Sequence, residues 1–459
     1  MTATLAEGLR GVLAEALGDP GLEVEGVVRL SGGASRETWS FDARRSDGSV
    51  EQLILRRDPP GAPKGGMGIE AAVITAAAGA GVPVPRLVAA SDETAALGSA
   101  FIVVERIEGE TIPRRVLREP ALAAARRVLA EQCGQILAAL HSVPPEAVPG
   151  LQSPDQLEQY RQVLDGLGQP SPAFELAFRW LGSNRPPPTG EAIVHGDFRN
   201  GNLLIGPDGV RAVLDWELVH LGDPMEDLGW LCVKSWRFGV DRPVGGFGTY
   251  EQLISGYEAG GGRKVDRDAL RWWEVLGNLK WGIMCMMQAS AHLSGALRSV
   301  ELAAIGRRVC EVEWDLLDLI PGDSGPDVSP SPGPGPLDAA ATRGLHGAPS
   351  AAELAQALHE FLDGDVRTST EGRVSFHARV AANVAAMIER ELILGPAQAE
   401  AHRAALEGLG VADDRRLAQG IRTGAIEGPE LRRVLRATVR AKLEVANPRW
   451  LEPPRPPGD

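Results

Sequence analysis

The sequence is short of cysteine, of positive charge, of aromatic residues and of long apolar runs, and most of these shortages remove a class of protein. Its four cysteines (Cys133, Cys232, Cys285, Cys310) are scattered through 459 residues with no CxxC pair. That excludes a disulfide framework and suits a reducing cytoplasm with free, buried thiols. Lys and Arg number 47 against 61 Asp and Glu, a net charge of −14, so no overall field draws the chain to nucleic acid or to an anionic membrane. The opening MTATLAEGLRGVLAEALGDPG carries acids and lacks the apolar run of a signal peptide. The most apolar later segment, WGIMCMMQASAHL, is too short to span a bilayer and reads as a buried helix. Aromatics make up 5% of the chain, yet Trp216, Trp230, Trp236, Trp272, Trp273 and Trp281 crowd into one stretch.

What is present is globular: 44% apolar and 24% charged, over a length that exceeds one ordinary domain. PGDSGPDVSPSPGPGPLDAAATRGLHGAPS, from residue 321, is dense in Pro, Gly and Ser and lacks an apolar period, which predicts a linker over 321–349. It separates residues 1–320 from a mostly helical region, 350–459, that opens on the capping box Ser350-x-x-Glu353. In that last region Arg432, Arg436 and Arg440 share one helix face. A solvated stripe is the default for such a pattern, with docking onto an acidic surface as the competitor.

Within residues 1–320 the early patterns are strand-like. VEGVVRLSGGASRETWSFDA and EQLILRRD flank an Asp47-Gly48 turn, a helix spans GIEAAVITAAAGAG, and two further strands run up to FIVVERIEG. From about residue 111 the patterns turn helical. The predicted class is α+β, with a small β-rich lobe (1–107), a larger helical lobe (108–320) and a cleft between them.

Polar chemistry concentrates in one stretch, IVHGDFRNGNLLIGPDGVRAVLDWE (193–217). NLLI and VRAVL are strand-like around Asp208-Gly209. If those two residues form the loop, Asn202 falls directly opposite Asp215 and both side chains share a face. An amide oxygen and a carboxylate that leave most of the shell to water and phosphate suit Mg²⁺. Asp197, in the loop entering the hairpin, is placed to accept the proton of an attacking hydroxyl, and Arg199 to meet a phosphoryl group. His195 and Gly196 read as supports of the loop. Any one of these residues alone is more often a plain turn residue.

HGDFRNGNLLI and VLDWE together resemble the catalytic and metal-binding segments of the aminoglycoside phosphotransferase-like family, and more closely the branch found fused to acyl-CoA dehydrogenases. The likeness runs from about residue 24 to 318. It implies a two-lobed protein-kinase-like fold followed by a separate all-α region, with ATP and Mg²⁺ as cofactors. It makes Asp197 the catalytic base and Asn202 and Asp215 the Mg²⁺ ligands. GDPMEDLGW also matches, with Asp223 and Asp227 bracing the loop, while Glu217 is either a further acid near metal or a hydrogen-bond brace.

In the small lobe, LSGGASRETW sits where the family's phosphate-covering loop belongs, so Ser31, Gly32, Gly33 and Ser35 become nucleotide candidates, although a plain strand turn fits them equally. Arg56 stands where kinases carry a strand lysine, with Glu70 as its acid partner and Arg57 as the competitor on the opposite face. Glu105, Arg106 and Ile107 match the hinge that holds adenine through backbone groups; the same residues fit an edge strand. Lys64, in the loop before Glu70, reads as solvated.

The acceptor pocket is expected from the tryptophan-rich region 225–318. No dense acidic set for a polycation is evident there, and the association with acyl-CoA dehydrogenases points to a small hydroxylated metabolite such as a hydroxyacyl-CoA. Neither nucleic acid nor membrane is expected as a partner; a protein partner or self-association is expected through 350–459, and the location is expected to be cytoplasmic. The competing reading is a nucleotide-binding pseudokinase or scaffold whose C-terminal helices bind a partner enzyme.

Overall fold

The computed structural model describes residues 2–30, 36–59, 66–322 and 349–456. Ser31, Gly32, Gly33, Ser35 and Lys64 lie outside the described residues, as does most of the predicted linker. The chain forms two compact units, Met1–Pro154 with Pro187–Glu274 and Arg455–Asp459, and Asp155–Pro186 with Val275–Pro454. Among the described residues no helix is long and apolar enough to cross a membrane.

The first unit opens with helix α1 (Thr2–Ala16), then strands β1 (Glu23–Arg29), β2 (Glu37–Arg44) and β3 (Val50–Arg57), helix α2 (Met67–Gly79), and strands β4 (Leu87–Ser91) and β5 (Phe101–Glu105). The strands form one antiparallel sheet in the order β1-β2-β3-β5-β4. The opening segment, read from sequence only as no signal peptide, is an amphipathic helix. Leu5, Leu9 and Leu13, one turn apart, bury against Trp39, Phe41, Leu53, Leu55 and Phe101 on one face of the sheet. Alternation then sends Ile102 and Val104 to the other face, with Val73, Ile74 and Ala77 of α2. The same alternation separates the two arginines ending β3. Arg57 turns to Glu37 at 2.9 Å and the Leu97 carbonyl at 3.1 Å, and Arg56 faces the opposite way.

Helices α3 (Pro113–Val116) and α4 (Ala123–His141) follow; α5 (Gln156–Leu167) and α6 (Pro172–Ser183) belong to the second unit. The chain returns to the first unit for β6 (Ala192–Val194), β7 (Leu203–Gly206), β8 (Gly209–Val213), β9 (His220–Gly222), α7 (Met225–Cys232), α8 (Tyr250–Ala259) and the first turns of α9 (Arg267–Leu293). α4 and α8 touch backbone to backbone. A β-carbon on Gly134 would lie 2.3 Å from the Leu253 carbonyl, and one on Gly256 2.1 Å from that of Glu131. Trp216, Trp230, Trp236 and Trp272 are all buried. The four cysteines are free and buried.

The second unit gathers the rest of α9, then α10 (Val300–Gly306), α11 (Val309–Leu319), α12 (Ala351–Phe361), α13 (Arg367–Ser369), α14 (Gly372–Gly408), α15 (Asp414–Thr423) and α16 (Pro429–Ala446). The predicted capping box at Ser350 and Glu353 is formed. α14 carries Pro396 inside it. The arginine stripe on α16 is not a solvated face. Arg432 donates to the Pro321 carbonyl at 2.6 Å, and Arg436 pairs with Asp318 at 2.7 Å and covers the Trp314 ring.

Candidate active site

The catalytic-loop candidates follow β6. Gly196 takes a positive φ of 76°, and a β-carbon there would sit 2.4 Å from the Leu218 carbonyl, so only glycine passes at this point. The turn is held from behind by Asp227 of α7, fully buried, whose carboxylate accepts the N–H of His195 at 2.8 Å and of Gly196 at 3.0 Å. The same carboxylate meets His141 Nε2 at 3.1 Å, and His141 Nδ1 meets the Tyr257 hydroxyl. Burial pushes the Asp227 carboxyl up, but the hydrogen bond and charge of His141 and the His195 N–H outweigh it and hold it below the usual carboxylate range. Asp223 accepts the Thr189 hydroxyl at 2.6 Å and the Thr189 and Met225 N–H groups, tying the strand before the loop to the start of α7.

His195 is buried with both ring nitrogens engaged. Nδ1 accepts the Asp197 N–H at 3.1 Å, which leaves Nε2 to donate to the Leu214 carbonyl at 3.1 Å. One ring therefore fixes the backbone of Asp197 and the segment leading to Asp215. Burial lowers its basicity, against the pull of Asp227, Asp197 and Asp215, so the neutral ring is favoured.

The Asp197 carboxylate accepts from three side chains: Arg199 Nε at 2.9 Å and Trp230 Nε1 at 2.9 Å on one oxygen, Asn202 Nδ2 at 2.6 Å on the other. Arg199 also lies 4.7 Å over the Trp236 ring. Trp230 was read from sequence only as one tryptophan among several; its contact crosses 33 residues, and no local pattern announces it.

The hairpin loop lies one residue earlier than the sequence expectation, and the pairing shifts with it. Gly206 pairs with Gly209, so Pro207 and Asp208 form the loop, and Leu203 pairs with Val213, with an irregularity between Leu204 and Ile205. Proline's fixed φ suits the first loop position, and Gly209 takes the positive φ of 127° that closes the turn. Asn202 therefore falls opposite Leu214, whose N–H donates to the Asn202 carbonyl at 2.8 Å. Asp215 is not directly across from it. It turns instead through a left-handed backbone, φ 67°, a conformation that aspartate tolerates better than most residues.

Arg56 joins the lobes, with its guanidinium 2.6 Å from Asp215 Oδ1 and 3.3 Å from Glu70 Oε2. Glu70 also pairs with Arg36, a residue the sequence reading did not single out, and Arg36 pairs with Asp58 at 3.1 Å. Glu217 is exposed in the turn after Trp216. At the hinge, the N–H of Glu105 donates to the Arg86 carbonyl at 3.0 Å and that of Arg106 to the Gln52 carbonyl at 2.8 Å. Of the three hinge N–H groups, only that of Ile107 has no such partner among the described residues. Beyond the hinge, Glu110 and Ile205 exchange both backbone hydrogen bonds, and a β-carbon on Gly109 would sit 2.9 Å from the Ile205 carbonyl, so hinge and hairpin are fastened together.

The donor set fits Mg²⁺ and no closed cage. Asn202 turns its amide nitrogen to Asp197, leaving the hard amide oxygen for a cation, and Asp215 keeps a second carboxylate oxygen beyond the one on Arg56. Among the described residues no group of three or more His, Cys, Asp or Glu could hold a metal by themselves. Such a site needs phosphate and water to complete it.

The phosphotransferase enzyme family matches residues 26–273, and a domain of unknown function (DUF6285) matches 368–450. Acyl-CoA dehydrogenase family member 10 of Mus musculus is 31% identical over 233 residues, 46% of this chain and 21% of that protein. Family member 11 of Homo sapiens is 32% identical over 200 residues, 39% of this chain and 24% of that protein. The matches thus span under a quarter of the length of these relatives. The crystal structure of a candidate aminoglycoside phosphotransferase from Ralstonia eutropha JMP134 covers 68% of this chain and 97% of its own at a TM-score of 0.53 and 23% identity, a likeness of fold. With more than half its residues matched and a kinase-like fold carrying the motif, the chain belongs to the phosphotransferase enzyme family.

Proposed function

We propose that the chain is an ATP- and Mg²⁺-dependent kinase that moves a phosphoryl group onto a hydroxyl of a small molecule, a hydroxyacyl-CoA or related metabolite. The observation that carries the reading is the Asp197 carboxylate, fixed by Arg199, Trp230 and Asn202 next to the hairpin that ends in Asp215. In this reading Asp197 accepts the proton of the attacking hydroxyl. The acceptor oxygen bonds to the γ-phosphorus of ATP, the bond to the bridging oxygen breaks, and ADP leaves. Arg199 orients Asp197 and offers its remaining N–H groups to the phosphoryl oxygens. Asn202 and Asp215 would hold the Mg²⁺, which when bound offsets negative charge on the phosphates. Arg56, with Glu70 as its acid partner, meets the nucleotide in the small lobe, together with Ser31, Gly32, Gly33 and Ser35, and the backbone of Glu105–Ile107 serves its base. His195, Asp223, Asp227 and the exposed Glu217 act as supports. The acceptor class rests on the names of the relatives. The free buried cysteines favour a cytoplasmic location, and 1–320 with an accessory 350–459 remains our division of labour.

The test is ATP consumption against a panel of hydroxylated metabolites and hydroxyacyl-CoAs, with Asp197→Asn as control. Loss of a general base predicts a fall of roughly 10²–10⁴-fold. An Asp197→Asn protein that turns over an accepted substrate at the wild-type rate would remove Asp197 from the chemistry. A second reading, the pseudokinase or scaffold, takes its support from Arg56, an arginine in place of the strand lysine, standing on Asp215. Mg²⁺-dependent stabilisation by ATP with no turnover of any acceptor would favour it. If that stabilisation persists in an Asn202→Ala, Asp215→Ala double variant, the metal assignment fails.

A further inference from the structure

Five charged side chains run in alternating sign from the small lobe to the hairpin segment: Asp58, Arg36, Glu70, Arg56 and Asp215. They come from the end of β3 and the residue after it, the residue before β2, the first turn of α2, and the segment after β8. At one end Asp58, Arg36 and Glu70 are buried, their side chains at most 5% exposed. At the other, Arg56 is 19% and Asp215 33% exposed.

We infer that Arg36 is a positioning residue of the nucleotide site: it takes over Glu70 and so releases Arg56 for the ligand. The inference rests on the nucleotide reading above and concerns a residue which that reading does not use. Two carboxylates as buried as Asp58 and Glu70 cannot both stay charged without cationic partners. A guanidinium can bridge them, since it presents five donors in a fixed fork, whereas an ammonium is a single point charge. Arg36 does this with Nε on Asp58 and Nη1 on Glu70. With Arg36 in place, Glu70 keeps a partner when Arg56 turns to a polyphosphate. Without it, Arg56 would be the one cation on Glu70 among the described residues, and Glu70 would compete with the ligand for it. Anchoring the acid of α2 and meeting the phosphates are thus divided between two arginines.

The measurement is Mg·ADP binding by calorimetry on the full chain. Arg36→Gln is expected to weaken binding by about tenfold or more, the range of a lost charge-assisted hydrogen bond. The distinguishing variant is Arg36→Gln with Glu70→Gln. Removing the acid that captures Arg56 should restore most of the affinity, which a merely structural role for Arg36 would not do. If Arg36→Gln does not fold, Arg36→Lys takes its place, with a smaller weakening and the same relief by Glu70→Gln. Wild-type affinity in the single variant, or no relief in the double, overturns the inference. If the wild-type chain binds neither Mg·ADP nor Mg·ATP, the nucleotide reading itself has failed, and the inference falls with it.

Discussion

Both compact units bury carboxylates, and they neutralise them differently. In the second unit the acids are met from within the unit. Glu175 of α6 accepts Arg161 at 2.8 Å and Arg422 at 2.7 Å, and Glu313 of α11 accepts Lys442 at 2.9 Å and the Ser171 hydroxyl. On the same helix Glu311 accepts Asn447 and Asp315 accepts the Trp450 indole. Acids on α6 and α11 are met largely by residues from 415–450. In the first unit the string through Glu70 and Arg56 ends on Asp215, a third exposed. A carboxylate fully answered by its own protein holds structure together. One left part-exposed, with a cation on one of its oxygens, is still able to meet a ligand.

The largest break in this comparison comes from ending the chain before Ser350. That removes Asn447 from Glu311, Lys442 from Glu313 and the Trp450 indole from Asp315, three acids each at most 3% exposed, and one of the two cations on Glu175. Removing the partner of even one charge that stays buried costs about 3–5 kcal/mol. The truncated chain is expected to lose most of the stability of the second unit, read as an early denaturation transition or as insolubility. If residues 1–349 melt within a few degrees of the full chain, the network is not what holds that unit.

A smaller effect sharpens the other side. Asp227→Asn keeps the size of the side chain but loses one of the two oxygens that accept the His195 and Gly196 N–H groups. The expected cost is about 1–3 kcal/mol, from a buried donor left without its acceptor. Because that donor belongs to the loop carrying Asp197, turnover should fall by more than the change in melting temperature suggests. Equal and small changes in both would mean that Asp227 supports the core and not the loop.

These two regions were unequally legible in the sequence. The spacing of Asp197, Asn202 and Asp215 drew attention to the hairpin because loop and strands lie within 25 residues, and local turn chemistry predicted that a hairpin forms. Register was misread, since Asp-Gly is the stronger two-residue signal and nothing local revealed that Pro207 would share the loop with Asp208. Alternation separated Arg56 from Arg57, as a strand must. Arg36, Trp230 and His141 could not be found this way, because each acts on a residue 22 to 86 positions distant. The α16 stripe failed for the same reason: Arg436 finds Asp318 across 118 residues, and helical spacing alone cannot tell a solvated face from one closed by a distant acid.

The smallest predicted effect is on pH, and it belongs to His195. Its ring is held neutral, accepting at Nδ1 from the Asp197 N–H and donating at Nε2 to the Leu214 carbonyl. Protonating Nδ1 would set a donor against a donor, and burial already lowers the basicity of the ring. The folded pKa is thus below the ordinary histidine value of about 6.5. Above that value neither the folded nor the unfolded chain binds this proton, and the contribution of the neutral ring is fully present. As pH falls below it the unfolded chain takes up a proton that the folded chain refuses, so stability declines until the folded pKa is passed. One such proton gives a slope of at most about 1.4 kcal/mol per pH unit. Urea denaturation at a series of pH values below 6.5, for wild type and His195→Asn, isolates the contribution, since asparagine offers an acceptor near Nδ1 and cannot titrate. The wild-type curve should fall more steeply by up to that slope; parallel curves would mean that His195 is not held neutral by the loop it braces.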